Sequence, residues 1–175
     1  LLQQVAARLG TCVRESDTVA RLGGDEFVVV LDDLDGDALD AAAHAEAIGK
    51  KILSSLNAPY QLAGREHRSS PSIGITLMGD VVQSVDDLLK QADLAMYQAK
   101  SAGRNTLRFF DPGMQAVVTA RAALEADLRS ALVQDEFLLH YQPQMHQSGR
   151  CVGVEALVRW AHPERGMVSP AQFIP

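Results

Sequence analysis

The chain has 175 residues, 47% of them hydrophobic, which is enough to bury one real core. A net charge of −6 and a pI near 5.3 exclude broad binding to nucleic acid or to an anionic membrane surface, while a few converging Lys or Arg still suffice to hold phosphates. Cys12 and Cys151 lie far apart, match no metal or redox spacing and read as buried or incidental thiols of a reducing compartment. No apolar run approaches the roughly 20 residues of a membrane span, and no signal peptide is visible.

Leu1, Leu2, Val5 and Leu9 share a stripe at helical spacing. The chain starts without Met and inside this pattern, so a preceding segment is expected. Thr18–Leu22 and Phe27–Leu31 are short apolar runs around Gly23-Gly24-Asp25-Glu26, a hairpin with a four-residue glycine turn. A polar break over 32–37 leads into an Ala-rich helix, 38–56, that ends before Asn57 and Pro59. Strands are expected at 60–62 and 72–77, around a charged connection at 64–68. Ser84-Val85-Asp86-Asp87 has capping-box spacing with Asp in the Glu position. The helix that follows is expected to bury Leu88, Leu89, Ala92, Ala95, Met96 and Ala99 and to stop at Gly103. A strand at 106–110 closes this part, and Asp111-Pro112-Gly113 is the best domain boundary.

Beyond it, Val117, Leu124, Leu128 and Leu132 recur at helical spacing and indicate a connecting helix over 112–135. Residues 137–142 and 152–160 read as strands joined by a turn at Ser148-Gly149. Helices and strands mix throughout, so the class is α/β or α+β.

Chemistry concentrates at few places. Gly23 and Gly24 let a backbone approach a phosphate closely, because no Cβ intervenes. Asp25 and Glu26 supply the hard oxygens that Mg²⁺ shares with substrate phosphates. The alternative is a β-turn with solvated acids, and the motif by itself leaves both readings open. Lys100 and Arg104 are four apart, and on a helix end they project to one side, suited to a polyphosphate or simply to the helix dipole. Glu155 is a charge inside an apolar run and calls for a partner such as a metal.

Arg21 to Phe27 resembles the GGDEF signature of diguanylate cyclases. Ser72-Ile73-Gly74-Ile75 and the segment from Ala95 to Asn105 resemble that family's SIGI strand and AMYxAKxxGRN segment. Phe137 to Pro143 and Gly153 to Trp160 resemble the first two strands of an EAL domain, the cyclic-di-GMP phosphodiesterase family, and 162–166 and 169–175 continue the match. The chain therefore resembles the middle of a tandem GGDEF–EAL protein. The division implied is 1–111 for the GGDEF part without its N-terminal portion, 112–135 for the connecting helix and 136–175 for the start of an EAL domain, whose fold is a TIM-like barrel.

The resemblance implies a bifunctional or one-sided enzyme of cyclic-di-GMP turnover, a bacterial second messenger. Two GTP molecules on a GGDEF homodimer are joined by 3′-hydroxyl attack on the partner's α-phosphate. The EAL side opens the product to the linear dinucleotide. Mg²⁺ or Mn²⁺ is the implied cofactor. Glu26 matches a metal ligand, Asp25 the acidic group near the attacking hydroxyl, Gly23 and Gly24 the close-approach glycines, and Lys100 and Arg104 triphosphate contacts. Arg14-Glu15-Ser16-Asp17, ending five residues before Gly23, resembles the RxxD inhibitory site, where Arg14 and Asp17 would bind cyclic-di-GMP. Glu155 matches an EAL metal ligand, Arg159 a phosphate contact and Gln142 a substrate-side polar group, whereas His140 and His162 match no metal position.

The family's first strand, a second metal Asp and the guanine readers are expected upstream of Leu1, and the remaining EAL ligands beyond Pro175. The 175 residues by themselves are expected to be inactive, with an aggregation-prone C-terminal third. Neither DNA nor membrane contact is expected within this segment, which would lie in the cytoplasm or form the cytoplasmic part of a membrane-anchored sensor. A module that senses GTP or cyclic-di-GMP, with one domain regulatory, is the alternative function.

Overall fold

The computed structural model describes residues 1–34, 37–79 and 83–174. The chain divides into two compact units, Leu1–Val118 and Thr119–Pro175. Among the described residues no helix is long and apolar enough to cross a membrane.

The first unit runs α1 (Leu2–Cys12), β1 (Thr18–Gly23), β2 (Glu26–Val30), α2 (Ala38–Asn57), β3 (Tyr60–Leu62), β4 (Arg65–His67), β5 (Ser72–Ile75), α3 (Val85–Ser101) and β6 (Thr106–Phe109). A further helix, α4 (Pro112–Ala131), begins in this unit and ends in the second. The stripe at the start of the chain runs three residues past Leu9, because Cys12 is buried with it.

Asp37 caps α2 by accepting from the backbone N–H groups of Leu39 and Asp40 at 2.8 and 3.0 Å. Part of the polar break expected before it lies outside the described residues. Ser84 caps α3 through the Asp87 N–H at 3.1 Å. The Asp87 carboxylate accepts from the Ser84 hydroxyl at 2.7 Å rather than reaching back to the backbone, so the shorter acid gives a modified box.

Among the described residues of this unit three two-stranded sheets form: β1–β2 and β3–β4 antiparallel, β5–β6 parallel. The charged connection expected at 64–68 is in fact a strand. Ala63 and Gly64 both have positive φ, 50° and 77°, which suits a two-residue turn between antiparallel strands. Alternating polarity does not reveal β4, because Arg65, Glu66 and His67 are all exposed.

α3 is the crossover between β5 and β6 and packs on both. Gly74 permits this, because a Cβ there would collide with the Ala92 carbonyl and the Met96 backbone of α3. Of the six residues expected inside α3, Ala95 and Ala99 are buried and the rest half-buried. One core cluster holds Leu9, Cys12, Ile52 and Leu56; another holds Ala42, Leu107, Phe109 and Val118. Ile73 packs against both, so β5 ties the two clusters together. A buried side chain of this kind contributes about 1.5–3 kcal/mol.

The second unit holds β7 (Phe137–Met145), β8 (Cys151–His162), β9 (Gly166–Val168) and the short α5 (Pro170–Phe173). The strands form one antiparallel sheet in the order β7-β8-β9. No parallel pairing of the barrel type is formed among its described residues. Its core is Ala131, Trp160 and Val168, backed by Leu124, Leu128, Phe137 and Phe173. The fully buried Trp160 donates its Nε1–H to Glu136 Oε2 at 2.9 Å. Mixed helix and strand in both units agree with the α+β class.

Candidate functional site

The glycine-acid motif occupies the tip of the β1–β2 hairpin. Gly23 pairs with Glu26, so the turn proper is Gly24-Asp25, two residues rather than four. Gly24 has φ +48°, a conformation that L side chains rarely adopt. The register slips between Arg21 and Gly23, leaving Leu22 as a bulge at the tip. The Arg21 guanidinium donates twice to the Gly24 carbonyl, from Nε at 3.0 Å and Nη2 at 2.7 Å, and braces the turn from beneath. Phe27 packs into the first core cluster beside Val19 and Val29. Asp25 and Glu26 are exposed and, among the described residues, make no ion pair.

Lys100 sits in the last turn of α3, exposed. Arg104 does not continue that helix. Ala102 N–H bonds to Gln98 O at 2.9 Å, and Arg104 N–H to Ala99 O at 3.1 Å, across Gly103 at φ +104°. This is a Schellman-type ending. Arg104 and Asn105 follow with φ +60° and +51°, so spacing along one helix face does not relate Lys100 to Arg104. Asn105 accepts a hydrogen bond from the Asn57 side chain at the end of α2, which anchors the left-handed exit. Among the described residues no hydrogen bond or ion pair joins Lys100 or Arg104 to the hairpin tip.

Arg14 and Asp17 form a tight turn after α1. Asp17 Oδ2 accepts from the Arg14 N–H at 2.7 Å, and Oδ1 from the Asp32 N–H at 3.1 Å. The Arg14 N–H holds the Asp17 carboxyl below its ordinary range, aided by the Asp32 N–H and the Arg14 and His44 side chains. Asp17 therefore pins the turn that presents the exposed Arg14 guanidinium, and half of its acceptor capacity remains for a ligand.

In the second unit, Gln142 lies directly opposite Glu155, and Arg159 falls on the same face of β8. Glu155 is exposed, and among the described residues no protein group pairs with its carboxylate. Arg159 is half-buried, its Nη1 donating to the Val158 carbonyl at 2.8 Å. His140 is exposed. His162 Nδ1 accepts from the Glu164 and Arg165 N–H groups at 3.0 and 3.1 Å, and its Nε2 faces Asp127 Oδ2 at 3.3 Å, so it is a satisfied structural residue.

Among the described residues no group of three or more His, Cys, Asp or Glu is preformed for a metal. The hairpin acids nevertheless fit Mg²⁺, which is commonly held by one or two carboxylates with substrate phosphates completing the shell. Glu155 with the Gln142 amide offers a similar pair of hard oxygens. Sequence reasoning did not single out Arg21 or Asn105; Arg21 next to the glycine pair, and Asn105 straight after a glycine-ended helix, were the available signals.

This hairpin, crossover and exit define a chain that belongs to the family described as diguanylate cyclase, GGDEF domain, whose model matches residues 1–106. The EAL domain model matches residues 125–175. The bifunctional diguanylate cyclase/cyclic di-GMP phosphodiesterase MucR of Pseudomonas aeruginosa is 42% identical over 176 residues, covering 100% of this chain and 25% of that protein. An EAL/GGDEF domain protein from M. capsulatus is 39% identical with a TM-score of 0.55, over 63% of this chain and 68% of that one. The GGDEF domain of TpbB, or YfiN, from Pseudomonas aeruginosa is 37% identical with a TM-score of 0.57, over 67% and 66%. The chain spans about a quarter of the length of the curated relatives it matches.

Proposed function

We propose that this chain is part of a protein that turns over cyclic-di-GMP, with residues 1–111 serving synthesis, 136–175 serving hydrolysis and 112–135 connecting them. The observation that carries the reading is the hairpin tip. A left-handed glycine sits beside two exposed acids, braced by Arg21 and left without competing ion pairs among the described residues. The family match and the name of the MucR relative support the same reading.

In this reading two GGDEF domains meet as a homodimer, each with one GTP. Gly23 and Gly24 let the backbone approach the phosphates. Asp25 lies near the attacking 3′-hydroxyl and draws off its proton; the α-phosphate bond to pyrophosphate breaks as the new ester forms. Two such steps join two GTP into one cyclic dinucleotide and release two pyrophosphates. Lys100 and Arg104 hold the triphosphate. Glu26 would hold Mg²⁺ or Mn²⁺, which would supply charge neutralisation at the phosphates. On the other unit Gln142 and Arg159 position cyclic-di-GMP for attack by water on one ester, with Glu155 as metal ligand. Arg14 and Asp17 bind the product and limit synthesis.

The test is Glu26→Gln in the full-length protein with hydrolysis disabled by Glu155→Ala. Synthesis should fall by at least about a hundredfold. Synthesis at the parental rate would remove Glu26 from the site, and no synthesis in the parent would favour a GTP-sensing module.

A further inference from the structure

A groove of about 290 Å³ opens between the end of α1 and the middle of α2. Val13, Ala47 and Ile48 give it apolar walls, and Arg14, His44 and Lys51 give it three basic groups. Lys51 Nζ donates to the Cys12 carbonyl at 2.9 Å, which fixes the ammonium at the groove and leaves two of its N–H bonds free. His44 is half-buried, and among the described residues its ring makes no hydrogen bond. Arg14 is the exposed cation of the Arg14–Asp17 turn, so the groove and that turn form one continuous site.

We infer that His44 is a further binding residue of this site, meeting a phosphodiester of the cyclic dinucleotide as imidazolium while a purine lies on the apolar wall, so that affinity rises as pH falls. The inference rests on the reading of Arg14 and Asp17 as the product site. The charged groups around His44 are Arg14 and Asp17 from the turn after α1, and Asp40 and Lys51 one turn before and two turns after it on α2. In the free protein Arg14 and Lys51 oppose a third positive charge, and the acids favour it. Each bound phosphodiester adds a full negative charge next to the ring. Ligand therefore raises the proton affinity of His44, and by linkage protons raise the affinity for ligand. Imidazole side chains in general change charge between about pH 5 and 8, which sets the window to probe.

The experiment is calorimetric titration of cyclic-di-GMP into the full-length protein with hydrolysis disabled by Glu155→Ala, alone and with His44→Gln or Arg14→Ala added. If ligand raises the His44 pKa by about one unit, Arg14-dependent binding tightens about five- to tenfold between about pH 8 and about pH 6. In His44→Gln that change drops below about twofold. In the parent chain, ¹⁵N chemical shifts of the His44 ring follow its titration with and without ligand, and the midpoint should move up on binding. Equal pH dependence in parent and His44→Gln, or an unmoved midpoint, would overturn the inference and leave the product site intact. Binding unaffected by Arg14→Ala at every pH would overturn the product-site reading itself.

Discussion

Gln142 stands directly opposite Glu155 in the β7–β8 ladder, so the amide and the carboxylate project from one face of the sheet. Cβ atoms of such pairs lie about 5 Å apart. Arg159 lies on that face too, about 13 Å along β8 at the usual rise of a strand. Phe137 and Trp160, paired at the far end of the ladder, take part in the core instead. The hairpin thus separates its packed aromatic pair from these polar side chains by the alternation of its faces.

That separation gives a first prediction for the full-length protein. Glu155→Ala should abolish hydrolysis of cyclic-di-GMP while shifting stability by less than about 0.5 kcal/mol, because the carboxylate is exposed. Arg159→Ala should chiefly raise KM. Steady-state kinetics and urea denaturation measure the two effects. Normal hydrolysis by Glu155→Ala would break the assignment.

Gly74→Ala should destabilise the first unit by at least about 2 kcal/mol, since the new methyl would overlap the α3 backbone at Ala92 and Met96. Neither neighbour is the movable tip of a side chain. The denaturation midpoint reads this directly, and a loss below about 0.5 kcal/mol would mean that α3 is not packed on β5 as described.

Most of the fold was legible where periodicity and caps agree. α2 and α3 lie within a residue or two of their expected limits, because Asp37, Ser84 and Gly103 punctuate them. β4 was hidden because a fully exposed hairpin arm carries no apolar alternation, and its turn uses Ala63 where Asn is the usual signal. At the candidate site the hairpin and its motif were legible. The left-handed backbone at Arg104 was not, since spacing alone extends the helix through a residue that Gly103 has already turned away.

Trp160 offers a test within the second unit. Trp160→Phe keeps an aromatic ring among Phe137 and Phe173 but removes the donor to Glu136. The loss should be about 2 kcal/mol, the scale of a hydrogen bond to a charged acceptor. Glu136→Gln retains an acceptor oxygen and should cost less. Equal midpoints for Trp160→Phe and the parent chain, followed by circular dichroism in urea, would show that the bond contributes nothing.

The last prediction concerns acid. The Asp17 carboxylate accepts the Arg14 and Asp32 N–H groups, and these bonds, the Arg14 one foremost, keep its folded-state pKa below the ordinary value of about 3.9. A depressed carboxylate contributes stability that is present above its unfolded pKa and is lost as pH falls through the lower, folded one. Asp17→Asn removes the charge at every pH. The parent chain should therefore be more stable than Asp17→Asn near neutrality, and the gap should close as the pH falls below about 4. Paired denaturation midpoints from neutral to strongly acidic pH measure it. A gap that stays constant into acid would mean that the Asp17 charge does not hold the turn, and that Arg14 is presented by some other constraint.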